Sequence, residues 1–496
     1  MIVLTLQGSH YCRVKSTENY SLRFILFATA VTAIGGFLFG YDTAVINGAN
    51  SYLKAYMHLT PAQEGMAGAS AILGCIPGAM VAGFLSDKFG RKRMLFLCAI
   101  VFAISGVLSA VPRTFEQFLA ARFLAGLGIG ASSIICPIYI AEISPEQWRG
   151  RLGTLFQFAI VLGIFLTLFV NMIIQGFGDE LWNTTTGWRW MLGMEAAPAL
   201  IFILLLFAVP ESPRWLAQKG YEQEARGVLI RVGGEKFADA QLRSIAQASG
   251  QEEGKFAELL SGPFLKPLVI AVVLMAFTQF CGINAIIYYS RKSFAAAGGG
   301  KNAAFTASAW VGFVNLLFTC VAIALVDKLG RRPLLMIGTA VQTVALGMIG
   351  WMFYLRQIGE SLTGWMLQMQ QSSTGLLVCV IVYIGAFAIS LGPIGWLLCS
   401  EIFPNKVRGR AMSVAAFTVW FSCYIVAQTF PMLNDSPFIG PAITFWIYGA
   451  ISVFSFIFVV AFIPETKGRT LEEIEAFWRR GSHAPRQVER SKKAAG

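Results

Sequence analysis

The sequence is short of charge. Only 13% of its 496 residues are Asp, Glu, Lys or Arg, while 56% are hydrophobic; ordinary soluble domains run near 25% and 45–50%. That balance excludes a chain whose only solvent is water. Histidine is scarcer still: His10, His58 and His483 are the full set and lie far apart, which speaks against a histidine metal site. The nine cysteines form no CxxC pair, and all but Cys12 fall in apolar runs, where they read as small buried hydrophobes. The start, "MIVLTLQGSHYCRVKSTENY", has no charged stretch ahead of its apolar residues. No cleavable signal is therefore expected, and the first long apolar run serves for insertion. No His–Ser set, metal set or carboxylate pair converges, so neither an enzyme nor a cofactor is expected.

Long apolar runs are what the chain does have. They recur at intervals of roughly 30–40 residues and last about 20 each, the length that crosses about 30 Å of hydrocarbon at 1.5 Å per residue. Twelve fall near 24–48, 64–86, 94–112, 116–141, 153–174, 190–209, 265–291, 305–326, 333–354, 375–400, 410–432 and 440–463. The predicted class is an all-α, multi-pass membrane protein. Its expected parts are an N-terminal segment (1–23), a first set of six spans (24–209), a polar linker (210–264), a second set of six (265–463) and a tail (464–496). Within the linker, "EQEARGVLIRVGGEKFADAQLRSIAQ" alternates charged and apolar residues at helical spacing and predicts short surface helices.

Lys and Arg outnumber Asp and Glu, 39 to 27. A basic excess can signal nucleic acid, but here it collects in "DKFGRKR", "EQWRGR", "DKLGRR", "NKVRGR" and the tail, always on one side of the predicted spans. Short positive loops mark the cytoplasmic side. Both termini are thus expected in the cytoplasm, with the lipid bilayer and not nucleic acid as the partner.

The chain also repeats itself. Glu142, Pro145, Arg149, Gly150 and Arg151 return as Glu401, Pro404, Arg408, Gly409 and Arg410, each 401 − 142 = 259 positions on. "FLSDKFGRKR" returns as "ALVDKLGRRP", and "VPESPRW" as "IPETKGRT". Two parallel six-helix halves follow, with a binding site expected near the midplane between them. Taken in order, "GYDTAVI", "DKFGRKR", "RFLAGLGIG", "PIYIAEISPEQWRGR", "GWRWM", "PESPRWL", "GINAIIYY", "DKLGRRP", "SEIFPNKVRGR" and "PETKGRTLEEI" cover residues 24 to 478. This set resembles the sugar porter family of the major facilitator superfamily, nearest in texture to bacterial monosaccharide:proton symporters. The resemblance implies a twelve-helix major facilitator fold, a pentose or hexose substrate with the proton as co-substrate, alternating access, a bacterial inner membrane and a monomer. A facilitative uniporter remains the alternative. A non-transporting sensor would normally carry a longer signalling tail.

Charged residues fall in two settings. Asp87, Arg91, Glu142, Arg149, Arg151, Glu211, Asp327, Arg331, Glu401, Arg408, Arg410 and Glu465 sit at cytoplasmic span ends. The simpler reading is topology anchoring with solvated ion pairs of about 0–1 kcal/mol each. The resemblance implies an inner clasp that pairs across the two halves in the outward-facing state. Asp42 and Arg122 lie inside spans, where a charge costs about 2.5–3.5 kcal/mol and normally faces a partner. They are either a static ion pair or, as the resemblance implies, the proton-coupling pair: burial disfavours a charged carboxyl and a neighbouring arginine favours it.

Gln157, Gln279 and Asn284 are amides in apolar runs, as is Asn315, and each is suited to sugar hydroxyls or to a helix–helix hydrogen bond. The resemblance implies that they line the sugar site with Phe39, Thr278, Trp396 and Trp420. It makes Tyr288 and Tyr289 an outer gate, and Gly392 with Pro393 is expected to break the tenth span there. A local unwinding around Gly282 would let Gln279 and Tyr289 share a face. Thr278, Val419 and Ile164 stand where the family often has polar residues, and Gly395 where facilitators often have proline, so no single sugar is assigned.

Overall fold

In a computed structural model, residues 20–248, 259–260, 264–296, 301–358, 373–403, 405–467 and 478 are described. His10, Cys12, Pro404 and His483 lie outside them, as do the side chains of Asp327 and Glu146. Among the described residues there is no β-strand, and twelve helices are long and apolar enough to cross a membrane.

The first five spans are Leu22–Met57, Pro61–Phe89, Arg91–Ala110, Phe115–Ile143 and Glu146–Gln175. The sixth is Glu180–Leu206, which starts 190 − 180 = 10 residues before the expected position because the mostly polar and aromatic stretch "ELWNTTTGWR" opens it. Its first turns include a π-helical stretch, Asn183–Gly187. The Asn183 side chain donates to the carbonyls of Gln175, Gly178 and Asp179 and so closes the preceding turn. Thr60 with Gln63, and Thr114 with Gln117, form capping boxes that start the second and fourth spans at the same end of the bundle,.

The linker forms Pro213–Gln218 and Glu222–Ala248, the latter longer than the short helices expected and kinked where Gly234 takes a φ of 82°. It packs under the first half: Trp215 Nε1 donates to the Asp87 carbonyl at 2.9 Å, and the Ser21 N–H to that of Val232 at 2.9 Å.

Two spans of the second half are broken. The seventh runs Leu265–Phe280 and resumes as Ile283–Ala296, with Gly282 at a φ of 89°. Tyr383 satisfies the freed Cys281 carbonyl at 2.9 Å. The tenth runs Ser373–Ile389 and Leu391–Glu401. Its break falls at Ser390 (φ −128°, ψ −99°), ahead of the expected Gly392–Pro393. Pro393 lacks the N–H that would reach the Ile389 carbonyl, and its ring crowds that oxygen, so the disruption appears a turn earlier. The eighth, ninth, eleventh and twelfth spans are Lys301–Leu329, Arg331–Ile358, Asn405–Asn434 and Gly440–Phe462.

Within the first half the second span packs on the fourth and the first on the fifth; in the second half the ninth packs on the twelfth and tenth. Small residues set the spacing: a Cβ on Gly126 or Gly130 would strike the backbone carbonyls of Ala71 or Cys75, the close approach by which membrane helices associate without a hydrophobic drive. The halves meet where the second span packs on the eleventh, the fifth on the eighth, and the first on the outer part of the seventh.

Candidate functional site

Asp42 and Arg122 are brought together, both essentially inaccessible. One guanidinium nitrogen bonds Asp42 Oδ1; the other reaches Oδ2 at 3.1 Å and the Asp42 carbonyl at 3.2 Å. Such a bidentate contact is the strong form of an ion pair. The sequence reading missed a third member, Glu195 on the sixth span. It is buried, its Oε1 has no hydrogen-bond partner among the described residues, and it lies near enough to Asp42 and Arg122 to feel the charge of both. An acid inside an apolar run, "LGMEAAPAL", was the available signal. One guanidinium can balance only one of two carboxylates in this dry setting.

Across the break in the seventh span the expected ligands Thr278, Gln279 and Asn284 form a chain. Thr278 Oγ1 donates to the Met275 carbonyl at 2.7 Å and accepts from Gln279 Nε2 at 3.0 Å. Asn284 Nδ2 donates to Gln279 Oε1 at 2.5 Å and to Cys423 Sγ at 3.0 Å. Gly282 makes this possible, because the turn there brings residues 279 and 284 side by side. Gln157 and Asn315 make no hydrogen bond to described residues and stay available. Phe39 and Trp420 meet across the halves with ring centroids 5.4 Å apart. Trp396 remains 36% exposed on the inner part of the tenth span, where a ring face is free for contact.

At the end away from the linker the halves are joined. Tyr289 is anchored within the second half, donating to the Ala427 carbonyl at 3.1 Å and stacking on Phe430, and its hydroxyl abuts the second span of the first half, where a Cβ on Gly68 would lie 2.5 Å from it; Tyr288 is buried beside it. Asn47 donates to the Ile287 carbonyl and to Ser290. Outside these sits an unforeseen network. Glu64, buried on the second span, accepts from Lys54 at 2.6 Å and Lys292 at 3.0 Å, and both lysines also reach Asp435, at 3.1 and 2.8 Å. Burial alone would raise the Asp435 carboxyl, but hydrogen bonds from Lys292, Asn434 and Lys54 outweigh it and hold it below the usual carboxylate range,.

At the linker end the expected clasp residues pair within each half. Arg91 bonds Glu142 at 3.0 and 3.1 Å and Asp87 at 2.9 Å, while Ser212 donates to Glu142 at 2.5 Å. Glu211 accepts from the N–H groups of Arg91 and Lys92, both at 2.9 Å, capping the third span where a carboxylate suits the helix dipole,. The second half repeats this: Arg331 bonds Glu401 at 3.2 and 2.8 Å, Thr466 donates to Glu401 at 2.6 Å, and Glu465 accepts from the N–H groups of Arg331 and Arg332. Gly90 and Gly330 take φ of 101° and 94° beneath those two acids, where a Cβ would collide with the carboxylate. Arg149 and Arg408 donate to the carbonyls of Ala141 and Phe403. Among the described residues no ion pair joins the halves at this end, and neither Arg151 nor Arg410 is in one.

Residues 28–478 match the family described as sugar (and other) transporter. The arabinose-proton symporter of Bacillus subtilis is 40% identical over 466 residues, 94% of this chain and 97% of that one. The D-xylose-proton symporter of Escherichia coli K12 is 38% identical over 490 residues, covering 93% and 97%. Among solved structures, the xylose transporter XylE from E. coli in an inward open conformation matches with a TM-score of 0.77 and 37% identity, over 92% of this chain and all of that one.

Proposed function

The chain belongs to the sugar (and other) transporter family, whose members carry solutes and are not enzymes, and on that premise we propose that it imports a monosaccharide, pentose or hexose, by proton symport. The observation that carries this reading is the buried Asp42–Arg122 pair with Glu195 beside it. A static pair would need one acid. Two acids around one arginine form a site that holds a proton in one arrangement and releases it in another.

The positive-inside rule puts the linker end in the cytoplasm, so the closed end faces out and the structure represents an inward-facing state. In the proposed cycle a proton reaches the acid site from outside and sugar binds against Gln157, Gln279, Asn284, Asn315 and Trp396. The outer contacts of Tyr289 then close and the linker end opens. Sugar leaves inward, the proton follows, and Arg122 re-engages Asp42. The acids and arginines now paired within each half exchange partners across the halves when the transporter turns outward. One proton driven by ~100 mV supplies ~2.3 kcal/mol, enough to concentrate sugar roughly forty-fold at 1.4 kcal/mol per decade. The setting is a bacterial inner membrane, with the chain acting as a monomer of two rocking halves, 24–209 and 265–463.

Purified protein in liposomes with an acid-outside gradient tests this. Uphill uptake of labelled arabinose, xylose or glucose with alkalinisation outside is expected. Asp42→Asn should abolish accumulation while keeping exchange. Uptake that equilibrates without accumulation, in the unmodified protein, would make it a uniporter.

A further inference from the structure

The tenth span carries Trp396 on the segment Leu391–Glu401, beyond the break at Ser390, so the angle of that break decides where the ring lies. The chain holds the break with side chains. In an unbroken helix the Ser390 N–H would reach the Ala386 carbonyl; here it reaches the Phe387 carbonyl at 3.1 Å instead. The Ser390 hydroxyl takes over the vacated Ala386 carbonyl at 2.5 Å, a back-bond of the kind that bends helices. With its one hydrogen engaged there, the hydroxyl can only accept from any further neighbour. Gln342 of the ninth span supplies the donor, its Nε2 lying 3.1 Å from Ser390 Oγ.

The ninth span is shaped to receive this contact. Gly338 lies one turn from Gln342 on the same face, and a Cβ there would collide with Ser390 Oγ. Glycine thus admits the bent segment and glutamine fastens it. Gln342 and Ser390 are fully buried, and Gln342 Oε1 has no partner among the described residues. An orphaned buried acceptor costs stability that an apolar side chain would not, so packing alone does not account for the amide. Past the break, the Ile394 N–H donates to the Ser390 carbonyl at 3.0 Å and starts the inner segment. That segment rests on the seventh span, with the Thr278 methyl 3.1 Å from where a Gly395 Cβ would stand. The angle at Ser390 therefore fixes how Trp396, the next residue, stands relative to the Thr278–Gln279–Asn284 chain.

We propose that Ser390 and Gln342 are positioning residues for the sugar site: they fix the bend of the tenth span and through it the placement of the Trp396 ring against bound sugar. This rests on the reading above of Trp396 as a sugar contact. Both residues are fully buried, so they act through the ring and not on the sugar itself.

The experiment measures the half-saturating concentration of arabinose, xylose or glucose for counterflow in proteoliposomes at equal pH, which needs no net proton movement. One hydrogen bond has a net worth of about fivefold in an equilibrium, so Ser390→Ala and Gln342→Leu should each raise that concentration by about fivefold. The same two substitutions are then made in a Trp396→Ala background. A residue that acts through the ring has nothing left to position there, and each should now change the value by less than about twofold. A residue that merely holds the bundle together would raise it by the same factor in both backgrounds, which would overturn the proposal. So would an unchanged value in both single variants. If Gln342→Leu fails to insert, Ser390→Ala, which removes a single oxygen, decides alone; if Trp396→Ala does not transport, Trp396→Leu takes its place. Failure of the underlying reading is distinguishable. Without sugar transport the unmodified protein shows no counterflow, and without a sugar contact at Trp396 the Trp396→Ala variant alone keeps the unmodified value; in either case the proposal falls with it.

Discussion

Glu64→Gln is the sharpest test of how the outer end is held. Two of the four ion pairs in that network cross between the halves: Lys292 with Glu64, and Lys54 with Asp435. The substitution removes one carboxylate and leaves two ammonium groups sharing Asp435. Exposed pairs contribute about 0–1 kcal/mol, whereas breaking a buried pair costs about 3–5 kcal/mol. Glu64 is 1% exposed but its lysines are 22% and 32% exposed, so an intermediate figure applies. When the outer end opens, water hydrates all four groups, and the difference becomes a bias of about 2 kcal/mol toward closure. That converts to roughly thirty-fold in the ratio of closed to open outer ends. Ala427, fully buried at the tyrosine contact, supplies the reporter. An Ala427→Cys variant would be labelled by a membrane-impermeant maleimide only when this end opens. Its labelling rate should rise by about an order of magnitude or more in the Glu64→Gln background. A rate that changes by less than about twofold would mean the network merely decorates a closure held by Tyr289 and Asn47, and the electrostatic argument would be wrong.

The same reporter gives a pH prediction. Asp435 is held below the usual carboxylate range, so its contribution is full above that range and disappears only as pH falls through the lowered value. With the Asp42 and Glu195 carboxyls removed (Asp42→Asn, Glu195→Gln), labelling of Ala427→Cys, normalised to a free thiol, should therefore stay flat between about pH 8 and pH 5; a rise within that interval would place the titrating group in the outer network. Gly126→Ala should destabilise the first half by about 1–3 kcal/mol, because its Cβ would meet the Ala71 carbonyl, which is backbone and cannot swing aside. Thermal unfolding in detergent reads this directly, and an unshifted transition would show that the second and fourth spans have room to part.

How much of this was legible in the residues differs by element. The twelve spans follow from apolar length against hydrocarbon thickness, a local quantity, and the break at Gly282 from a residue that tolerates a positive φ. The break near Pro393 was readable in kind but displaced to Ser390, since a missing N–H disturbs the turn before it. Asp42 and Arg122 could be matched because each was the rare charge in its span. Glu195 escaped because its span was placed late, which left it near a supposed end. The outer network escaped for a related reason: Lys54, Glu64, Lys292 and Asp435 each lie beyond or at a predicted boundary, where a charge reads as solvated.

Apolar run length, charge asymmetry and an internal echo at 259 residues determined a twelve-span chain of two like halves, since each is read along the chain without knowing which residues touch. Which acid meets which arginine, which tyrosine packs at the closed end, and whether Glu142 and Glu401 pair within or across the halves were decided by the tertiary structure alone. The physical reason is that such contacts depend on how two rigid halves are tilted, and the same residues can satisfy more than one tilt.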